Sequence, residues 1–250
     1  MLQLIKHDAI HELRLARPPV NALDPALVRA LREAVAQAQR EGARGIVLSG
    51  REGMFSAGLD VPVLLMLPSD ALRAFWNDFF GLCADLARAP IPIVAAITGH
   101  APAGGAVLSI MCDYRVMADG AFKIGLNETQ VGLAVPAPIQ AMMRRLVGAY
   151  RAERLMIAGA MVDSDEALRI GFVDELTEAE NVVARALEWL RALLALPARA
   201  MSGTRAIARA ELVAAFDAAR AQDADEFVRG WFSDESRATL TAVMAKLKKS

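Results

Sequence analysis

The first fifty residues combine short apolar runs with one long amphipathic segment. Apolar runs at Leu2–Ile5 and Ile10–Leu15, separated by a polar pair, predict a β-hairpin. Asp24 followed by proline is a helix-start signal, and apolar residues at helical spacing predict a helix from Pro25 to Glu41. The run GIVLSG at 45–50 is bounded by glycines and is typical of a buried parallel strand. These elements indicate an α/β fold.

The alternation of helices and strands continues to about residue 117. The predicted elements are a helix from Ser69 to about Ala89, a strand at Ile93–Ile97, a helix at Ala106–Met111 and a strand at Asp113–Met117.

From Pro136 onward the pattern becomes almost wholly helical. The predicted helices are Ala137–Val147, Tyr150–Ala158, Ser164–Ile170 and Thr177–Leu196, with a short final strand at Phe172–Asp174. After Pro197 the pattern predicts about three more helical segments. We therefore expect an α/β part over residues 1–196 and a helical part over residues 197–250.

Composition excludes two classes of protein. Hydrophobic residues make up 55% of the chain and charged residues 23%, which excludes intrinsic disorder. The net charge is -1, so the chain lacks the basic excess that a general nucleic-acid-binding protein needs. The mean hydropathy of +0.31 is high for a soluble monomer, so we expect apolar surface to be buried between subunits.

The two cysteines and the N-terminus bear on the compartment. Cys83 and Cys112 lie in apolar stretches, and we expect them to be reduced thiols of an intracellular protein. The N-terminus has no apolar run long enough for a signal peptide, and the longest apolar stretches are broken by proline, glycine and histidine. The expectation is a cytoplasmic protein that does not insert into membranes.

Several familiar chemical motifs are absent from the sequence. The chain has only three histidines, of which His7 and His11 fall at the turn of the predicted hairpin, and CxxC does not occur, so we expect no metal site. The serine-hydrolase elbow GxSxG is absent, as are the phosphate-binding patterns GxxxxGK[ST] and GxGxxG after a strand.

Two glycine-containing turns follow predicted strands, one at Phe55–Asp60 and one at Gly99–Gly105. Small residues there allow the backbone to approach a ligand closely. Two free backbone N–H groups that converge on one point would form an oxyanion hole. The alternative is that both are ordinary turns from strand to helix, in which glycine is common.

Glu128 lies in a largely apolar segment, FKIGLNETQVG, at 122–132. Desolvation would raise the pKa of a carboxyl group there and suit it to act as a general base. The alternative is an exposed loop glutamate that caps the next segment.

Taken together, these motifs resemble the crotonase superfamily, the enoyl-CoA hydratase/isomerase family. The resemblance rests on Pro19–Leu23, Phe55–Asp60, Gly99–Gly105 and Cys112–Arg115, and it covers most of the chain. The run IGLNETQVGL is more similar still to the mitochondrial-type Δ3,Δ2-enoyl-CoA isomerases, in which this segment carries the single catalytic glutamate.

The resemblance implies a spiral of ββα repeats with a helical C-terminal trimerisation region. It implies that the N–H groups of Leu59 and Gly104 bind the thioester oxygen and that Glu128 is the base. Coenzyme A is then part of the substrate, and no separate cofactor is expected.

Further roles follow from the resemblance for the binding groove. Ser56, Ala57 and Asp60 would line the coenzyme A groove, mainly through their backbones, and Arg17 is a candidate contact for a phosphate. The segment Phe227–Ser236 would either pack on a neighbouring subunit or close over the acyl chain. The expected assembly is a homotrimer or a dimer of trimers.

Position 107 is where the chain departs from the hydratases of the family. Those enzymes use a second glutamate to hold water, and the equivalent residue here is Val107. The expected reaction is therefore the shift of a 3-enoyl-CoA double bond to the 2-trans position in fatty acid β-oxidation. The alternatives are another reaction of this family, such as hydration, decarboxylation or thioester hydrolysis, and a non-catalytic acyl-CoA-binding protein.

Overall fold

The computed structural model describes residues 1–219 and 223–247. Its strands are β1 (Leu2–His7), β2 (Ile10–Leu15), β3 (Gly45–Ser49), β4 (Gly53–Met54), β5 (Ile93–Ile97), β6 (Gly99–Pro102), β7 (Tyr114–Ala118), β8 (Lys123–Gly125), β9 (Val162–Asp163) and β10 (Glu175–Thr177). Its helices are α1 (Pro25–Arg40), α2 (Val61–Leu65), α3 (Ser69–Arg88), α4 (Gly104–Ile110), α5 (Ala137–Val147), α6 (Ala149–Ala158), α7 (Ser164–Ile170), α8 (Val182–Leu194), α9 (Ala198–Ala208), α10 (Ala210–Ala219), α11 (Asp223–Trp231) and α12 (Asp234–Leu247). Two 3₁₀ turns span Glu128–Val131 and Ala179–Asn181.

The strands form two sheets that the chain visits in turn. The larger sheet has the order β1-β2-β3-β5-β7-β10, in which β1 is antiparallel to β2 and the other neighbours are parallel. The smaller has the order β4-β6-β8-β9. The pairs β3-β4, β5-β6 and β7-β8 each place one strand in each sheet before the next helix or turn. The expected spiral of ββα repeats is therefore confirmed.

Apolar side chains cover both faces of the larger sheet. On β3, Ile46 and Leu48 share a buried cluster with side chains of α1, α3 and α4. Val47 points to the opposite face, where it packs with Val182 and Leu190 of α8. Burial on both faces explains why this strand is a continuous apolar run rather than an alternating one.

The ends of α1 agree with the helix signals in the sequence. The Asp24 side chain accepts a hydrogen bond from the Leu27 N–H at 2.7 Å, and Pro25 occupies the first turn. The predicted strand and helix boundaries at 2–15, 93–97 and 69–89 also match the structure to within two residues.

The prediction of a strand at Phe172–Asp174 is wrong. Those residues close the C-terminus of α7, since the N–H groups of Phe172 and Val173 both bond to the Ala167 carbonyl. The strand is β10, which begins at Glu175, and the helix predicted from Thr177 begins only at Val182. Phe172 and Val173 are apolar because they are buried in this helix end, not because they belong to the sheet.

The C-terminal region packs back onto the remainder of its own chain. Four helices, α9 to α12, occupy its described residues, where the sequence predicted about three. Trp231 of α11 lies 6.1 Å from Trp76 of α3 between ring centroids, and Phe227 lies 4.8 Å from the same ring. Arg205 binds the Asp113 carboxylate through two nitrogens at 2.8 and 2.9 Å. The division at residues 196 and 197 stays a prediction.

Two further features of the described residues concern membranes and metals. None of their helices combines the length and apolarity that a membrane crossing requires. The described histidine, cysteine, aspartate and glutamate side chains form no cluster of three or more that could bind a metal ion.

Candidate active site

The parallel strands of the smaller sheet bring three predicted site residues to one edge. β4, β6 and β8 run side by side, with Met54 opposite His100 and Pro102 opposite Gly125. Leu59 follows β4, Gly104 follows β6 and Glu128 follows β8. The carboxyl ends of parallel strands are the usual place for a ligand in α/β proteins.

The backbone at Gly58 and Leu59 lies against the start of α4. A methyl group on Gly58 would lie 3.0 Å from the Gly104 nitrogen, and one on Gly104 would lie 3.4 Å from the Leu59 nitrogen. Gly58 has a φ of +83°, which a side chain would disfavour, so glycine suits both the space and the conformation.

The N–H groups of Leu59 and Gly104 are free, whereas several other N–H groups of the same two segments are used. Within the described part of the chain, neither N–H group donates to a protein acceptor. By contrast, the Asp60 N–H bonds to Leu23 at 3.0 Å and the Val107 N–H bonds to Ala103 at 2.9 Å. Two adjacent, uncommitted backbone donors are what an oxyanion hole requires.

Ala103 holds the second of these donors in place. Its φ of +44° is unusual for a residue with a side chain, and it directly precedes the helix start at Gly104. The Ala103 N–H bonds to the Gly125 carbonyl at 2.8 Å, which ties this turn to the end of β8. The strand that leads to Glu128 is therefore joined directly to the turn that presents the Gly104 N–H.

Glu128 begins a 3₁₀ turn and is only 9% exposed. Its Oε2 is buried and has no hydrogen-bond partner among the described residues. Burial raises the pKa of Glu128 from 4.5 to about 7, although a backbone hydrogen bond acts in the opposite direction. A carboxyl group with this pKa exchanges a proton readily near neutral pH, as a general base must.

The match to a known family extends over nearly the whole chain. A family model described as enoyl-CoA hydratase/isomerase matches residues 6–250. The chain belongs to the enoyl-CoA hydratase/isomerase family. It is therefore an enzyme of this family, whose members act on acyl-CoA thioesters, and the resemblance to the crotonase superfamily is confirmed.

Named relatives in the enoyl-CoA hydratase/isomerase family include both isomerases and hydratases. The chain is 30% identical to human mitochondrial enoyl-CoA delta isomerase 1 over 251 residues, which cover 98% of this chain and 83% of the relative. It is 33% identical to a probable enoyl-CoA hydratase of Mycobacterium avium over 214 residues, which cover 84% of this chain and 80% of that protein.

A solved structure of this family has the same fold as this chain. The crystal structure of human mitochondrial Δ3,Δ2-enoyl-CoA isomerase has a TM-score of 0.94 at 29% identity, covering 99% of this chain and 98% of that one. The human relative is named as a mitochondrial protein, and the cytoplasmic location expected for this chain stays a prediction.

Val107 lies one helical turn after Gly104 in α4. It is 1% exposed and belongs to the main apolar cluster of the protein. Residues three apart on a helix share a face, so Val107 lies on the side of α4 that begins at Gly104. A valine at this position presents only apolar surface.

Ser56 and Ala57 shape the loop that leads to Leu59. The Ser56 hydroxyl donates to the Asn21 carbonyl at 2.8 Å and accepts a hydrogen bond from the Gly58 N–H at 3.2 Å. The Ala57 N–H bonds to the Val20 carbonyl at 2.9 Å. These contacts fix the loop, and the groove-lining role of both residues stays a prediction.

Arg17 is committed to carboxylates within the protein. Its guanidinium pairs with Asp60 at 2.6 Å and with Asp24 at 3.1 Å, and it also donates to the Ala22 carbonyl. Arg17 lies two residues beyond the end of β2, which ends at Leu15. This environment counts against a phosphate contact. Asp60 itself accepts a hydrogen bond from the Val63 N–H and so caps α2.

Asn127 is a candidate site residue that sequence reasoning missed. It directly precedes Glu128, yet its side chain does not cap the 3₁₀ turn, although asparagine is a favoured capping residue. Its Oδ1 is buried and has no hydrogen-bond partner among the described residues. An asparagine next to a possible base was visible in the sequence, but its unpartnered oxygen depends on the folded surroundings.

The raised pKa of Glu128 predicts a pH-dependent cost in stability. The folded state disfavours the ionised form, so stability falls as the pH rises from about 4.5 through about 7 and then levels off. At pH 8.5 we expect the free energy of unfolding of Glu128→Gln to be higher than that of the native protein by on the order of 3 kcal/mol. At pH 5 most of this difference should be lost. Urea unfolding at the two pH values measures this. An equal difference at both would contradict the burial of an ionisable carboxyl group.

Proposed function

We propose that this enzyme is a Δ3,Δ2-enoyl-CoA isomerase, which converts 3-enoyl-CoA to 2-trans-enoyl-CoA in fatty acid β-oxidation. The observation that carries the proposal is the buried carboxylate of Glu128, whose Oε2 has no hydrogen-bond partner among the described residues, beside an edge that also presents two free backbone donors. The valine at position 107, where the hydratases of the family have a second glutamate, supports the same reaction.

The proposed mechanism uses one base and one oxyanion hole. The thioester oxygen accepts hydrogen bonds from the Leu59 and Gly104 N–H groups. Glu128 removes a proton from C2, and the electron pair moves through the C1–C2 unit onto the thioester oxygen to give a dienolate. The two donors stabilise that developing charge. Protonated Glu128 then delivers the proton to C4, so the double bond has moved and the base is restored.

The reaction moves one proton and one double bond within a single substrate. No electrons leave the substrate, and coenzyme A remains attached to the acyl group throughout. The proposal therefore assigns no separate cofactor, and coenzyme A enters as part of the substrate.

Hydration is the second candidate, because relatives include proteins named as probable enoyl-CoA hydratases. Adding water to a 2-enoyl-CoA requires a water molecule held beside the double bond. Val107 cannot accept a hydrogen bond from such a water, whereas a carboxylate at that position would. A double-bond shift proceeds with Glu128 alone and benefits from the exclusion of water.

The two candidates are separated by incubating the native protein with a 3-enoyl-CoA and, separately, with a 2-trans-enoyl-CoA. We expect conversion of the first substrate and at most traces of 3-hydroxyacyl-CoA from the second. Hydration at a rate that rivals isomerisation would overturn the assignment. Binding of both thioesters without turnover would instead support a non-catalytic acyl-CoA-binding protein.

We further propose that the protein is a homotrimer or a dimer of trimers, with α9 at a subunit interface. All residues of α9 are described, and none of them is buried in the single chain. Ile207, for example, is 81% exposed. Beside α9 lies an apolar cleft of about 520 Å³, lined in part by Trp189, Leu193 and Met201. Such a surface is typical of an interface rather than of a monomer.

Sedimentation equilibrium tests the assembly. We expect a trimer or hexamer at micromolar concentration, and Ile207→Glu should shift the population towards monomer because it places a charge in the interface. A native protein that sediments as a monomer would refute the proposed assembly.

The net charge of -1 and the absence of a membrane-spanning helix among the described residues give no support to nucleic acid or a membrane as a partner.

A further inference from the structure

Helix α12 lies against both halves of the candidate site. It packs on the 3₁₀ turn that begins with Glu128 and on α2, which begins two residues after Leu59. The C-terminal helix therefore contacts the segment that carries the base and the segment that follows one oxyanion donor.

A buried hydroxyl group makes the contact between α12 and the turn. The Ser236 Oγ donates to the Gly132 carbonyl at 2.6 Å, and Ser236 is only 2% exposed. Gly132 ends the turn with a φ of +78°, and a methyl group there would lie 3.1 Å from the Ser236 Cα. The absence of a side chain at Gly132 thus allows α12 to approach the turn closely.

The Gly132 peptide leads directly to the backbone of Glu128. The Gly132 N–H bonds back to the carbonyls of Glu128 and Thr129, and the Leu133 N–H bonds to the Glu128 carbonyl at 3.0 Å. Fixing Gly132 therefore fixes the backbone from which the Glu128 side chain extends.

Ser236 is itself held by a well-anchored helix end. The Ser233 hydroxyl accepts a hydrogen bond from the Ser236 N–H at 3.2 Å, which caps α12, and donates to the Gly230 carbonyl of α11 at 2.7 Å. The last residue of α11, Trp231, is fully buried against α3. The Ser236 hydroxyl that bonds to Gly132 therefore belongs to a helix end that is anchored in the core.

The opposite side of the turn is held by α6. The Thr129 hydroxyl donates to the Met156 carbonyl at 3.1 Å, and the Gln130 amide donates to the Ala158 carbonyl at 3.4 Å. After the turn, residues 132–136 have no helix or strand of their own. A cleft of about 450 Å³, lined in part by Gly132 and Ser236, leaves this segment room to move if the Ser236 contact is lost.

We propose that Ser236 is a positioning residue for the reaction: its hydrogen bond to the Gly132 carbonyl fixes the turn that aims the Glu128 carboxylate at the substrate. The proposal rests on the proposed function, in which one carboxylate must reach both C2 and C4. Small displacements of a catalytic group lower turnover strongly, because the reacting atoms must lie within a narrow range of distances.

The test compares Ser236→Ala with Thr241→Val. Thr241 is an exposed residue of the same helix, and among the described residues its hydroxyl bonds only to the Arg237 carbonyl of α12. We expect Ser236→Ala to lower kcat for a 3-enoyl-CoA by about 10-fold, the effect of one lost hydrogen bond. The KM and the affinity for saturated octanoyl-CoA should stay within about 2-fold. Thr241→Val should behave like the native protein.

A second variant approaches the same contact from the other side. Gly132→Ala adds a methyl group against Ser236 and should also lower kcat with little change in octanoyl-CoA affinity. Because both changes disrupt one contact, the double variant should lose less than the product of the two single losses.

Two outcomes would overturn the positioning role. One is a native kcat in Ser236→Ala, and the other is an equal loss of kcat and octanoyl-CoA affinity, which would indicate general loosening of the fold. Glu128→Gln serves as the reference, because its inactivity together with a fully active Ser236→Ala would reject only the positioning role. An active Glu128→Gln would instead reject the proposed function.

Discussion

Glu128→Gln is expected to lower the turnover of a 3-enoyl-CoA by about 10²–10⁴-fold. Glutamine keeps the size and shape of the side chain but cannot accept the proton from C2. The affinity for the acyl-CoA should change little, since in the proposed mechanism the thioester oxygen is bound by the Leu59 and Gly104 N–H groups. Steady-state kinetics and calorimetric binding of octanoyl-CoA measure the two effects separately.

Glu166→Gln provides the matched control for this change. Glu166 lies on α7 and pairs with Arg169 three residues away, so its replacement should leave turnover unchanged. The native enzyme should also lose kcat/KM as the pH falls below about 7, because Glu128 must be ionised to act as a base. Near-native turnover in Glu128→Gln would remove the base from the mechanism.

Removal of the Gly104 N–H is expected to have the second large effect. Incorporation of glycolic acid at position 104 replaces this N–H by an ester oxygen and preserves the shape of the turn. Loss of one oxyanion donor costs about 2.7–4 kcal/mol of barrier, so kcat should fall by about 10²–10³-fold. Proline is a poorer probe here because it would restrict Ala103, whose φ is already +44°.

The same ester placed at Gly42 is the control for this prediction. The Gly42 N–H bonds to the Gln39 carbonyl at 3.1 Å at the end of α1, away from the site. Its loss should leave kcat unchanged. A Gly104 ester that turns over like the native enzyme would show that the thioester oxygen is bound elsewhere.

Long, regular segments could be predicted from the sequence, and the smaller sheet could not. α1 and α3 have strong helical periodicity, and β3 and β5 are short apolar runs between breaks in the pattern. The strands of the smaller sheet have two to four residues, too few to show a period. Close packing of backbone against backbone defines these strands instead. At Gly99, for example, a methyl group would lie 2.0 Å from the Gly53 carbonyl carbon.

The residues of the candidate site also fall into those that the sequence could indicate and those that it could not. Glycine-containing turns after strands indicated the segments Phe55–Asp60 and Gly99–Gly105, and an acidic residue in an apolar segment indicated Glu128. The resemblance then selected Leu59 and Gly104 within the two turns and gave all three residues their roles. The contact of Ser236 with Gly132 joins residues 104 positions apart, so no local pattern could indicate it. The pairing of Arg17 with Asp60 is also non-local, so the sequence could not show that this cation has carboxylate partners within the protein.

Transfer of deuterium within the substrate tests most directly whether Glu128 alone moves the proton. The native enzyme would be given a 3-enoyl-CoA carrying deuterium at both C2 hydrogens, in ordinary water, for a single turnover. If one buried carboxylate removes and returns the same hydrogen, a substantial fraction of the 2-trans-enoyl-CoA should carry deuterium at C4. A C4 hydrogen drawn wholly from solvent, with 3-hydroxyacyl-CoA accumulating beside it, would contradict a single base acting in a site that excludes water.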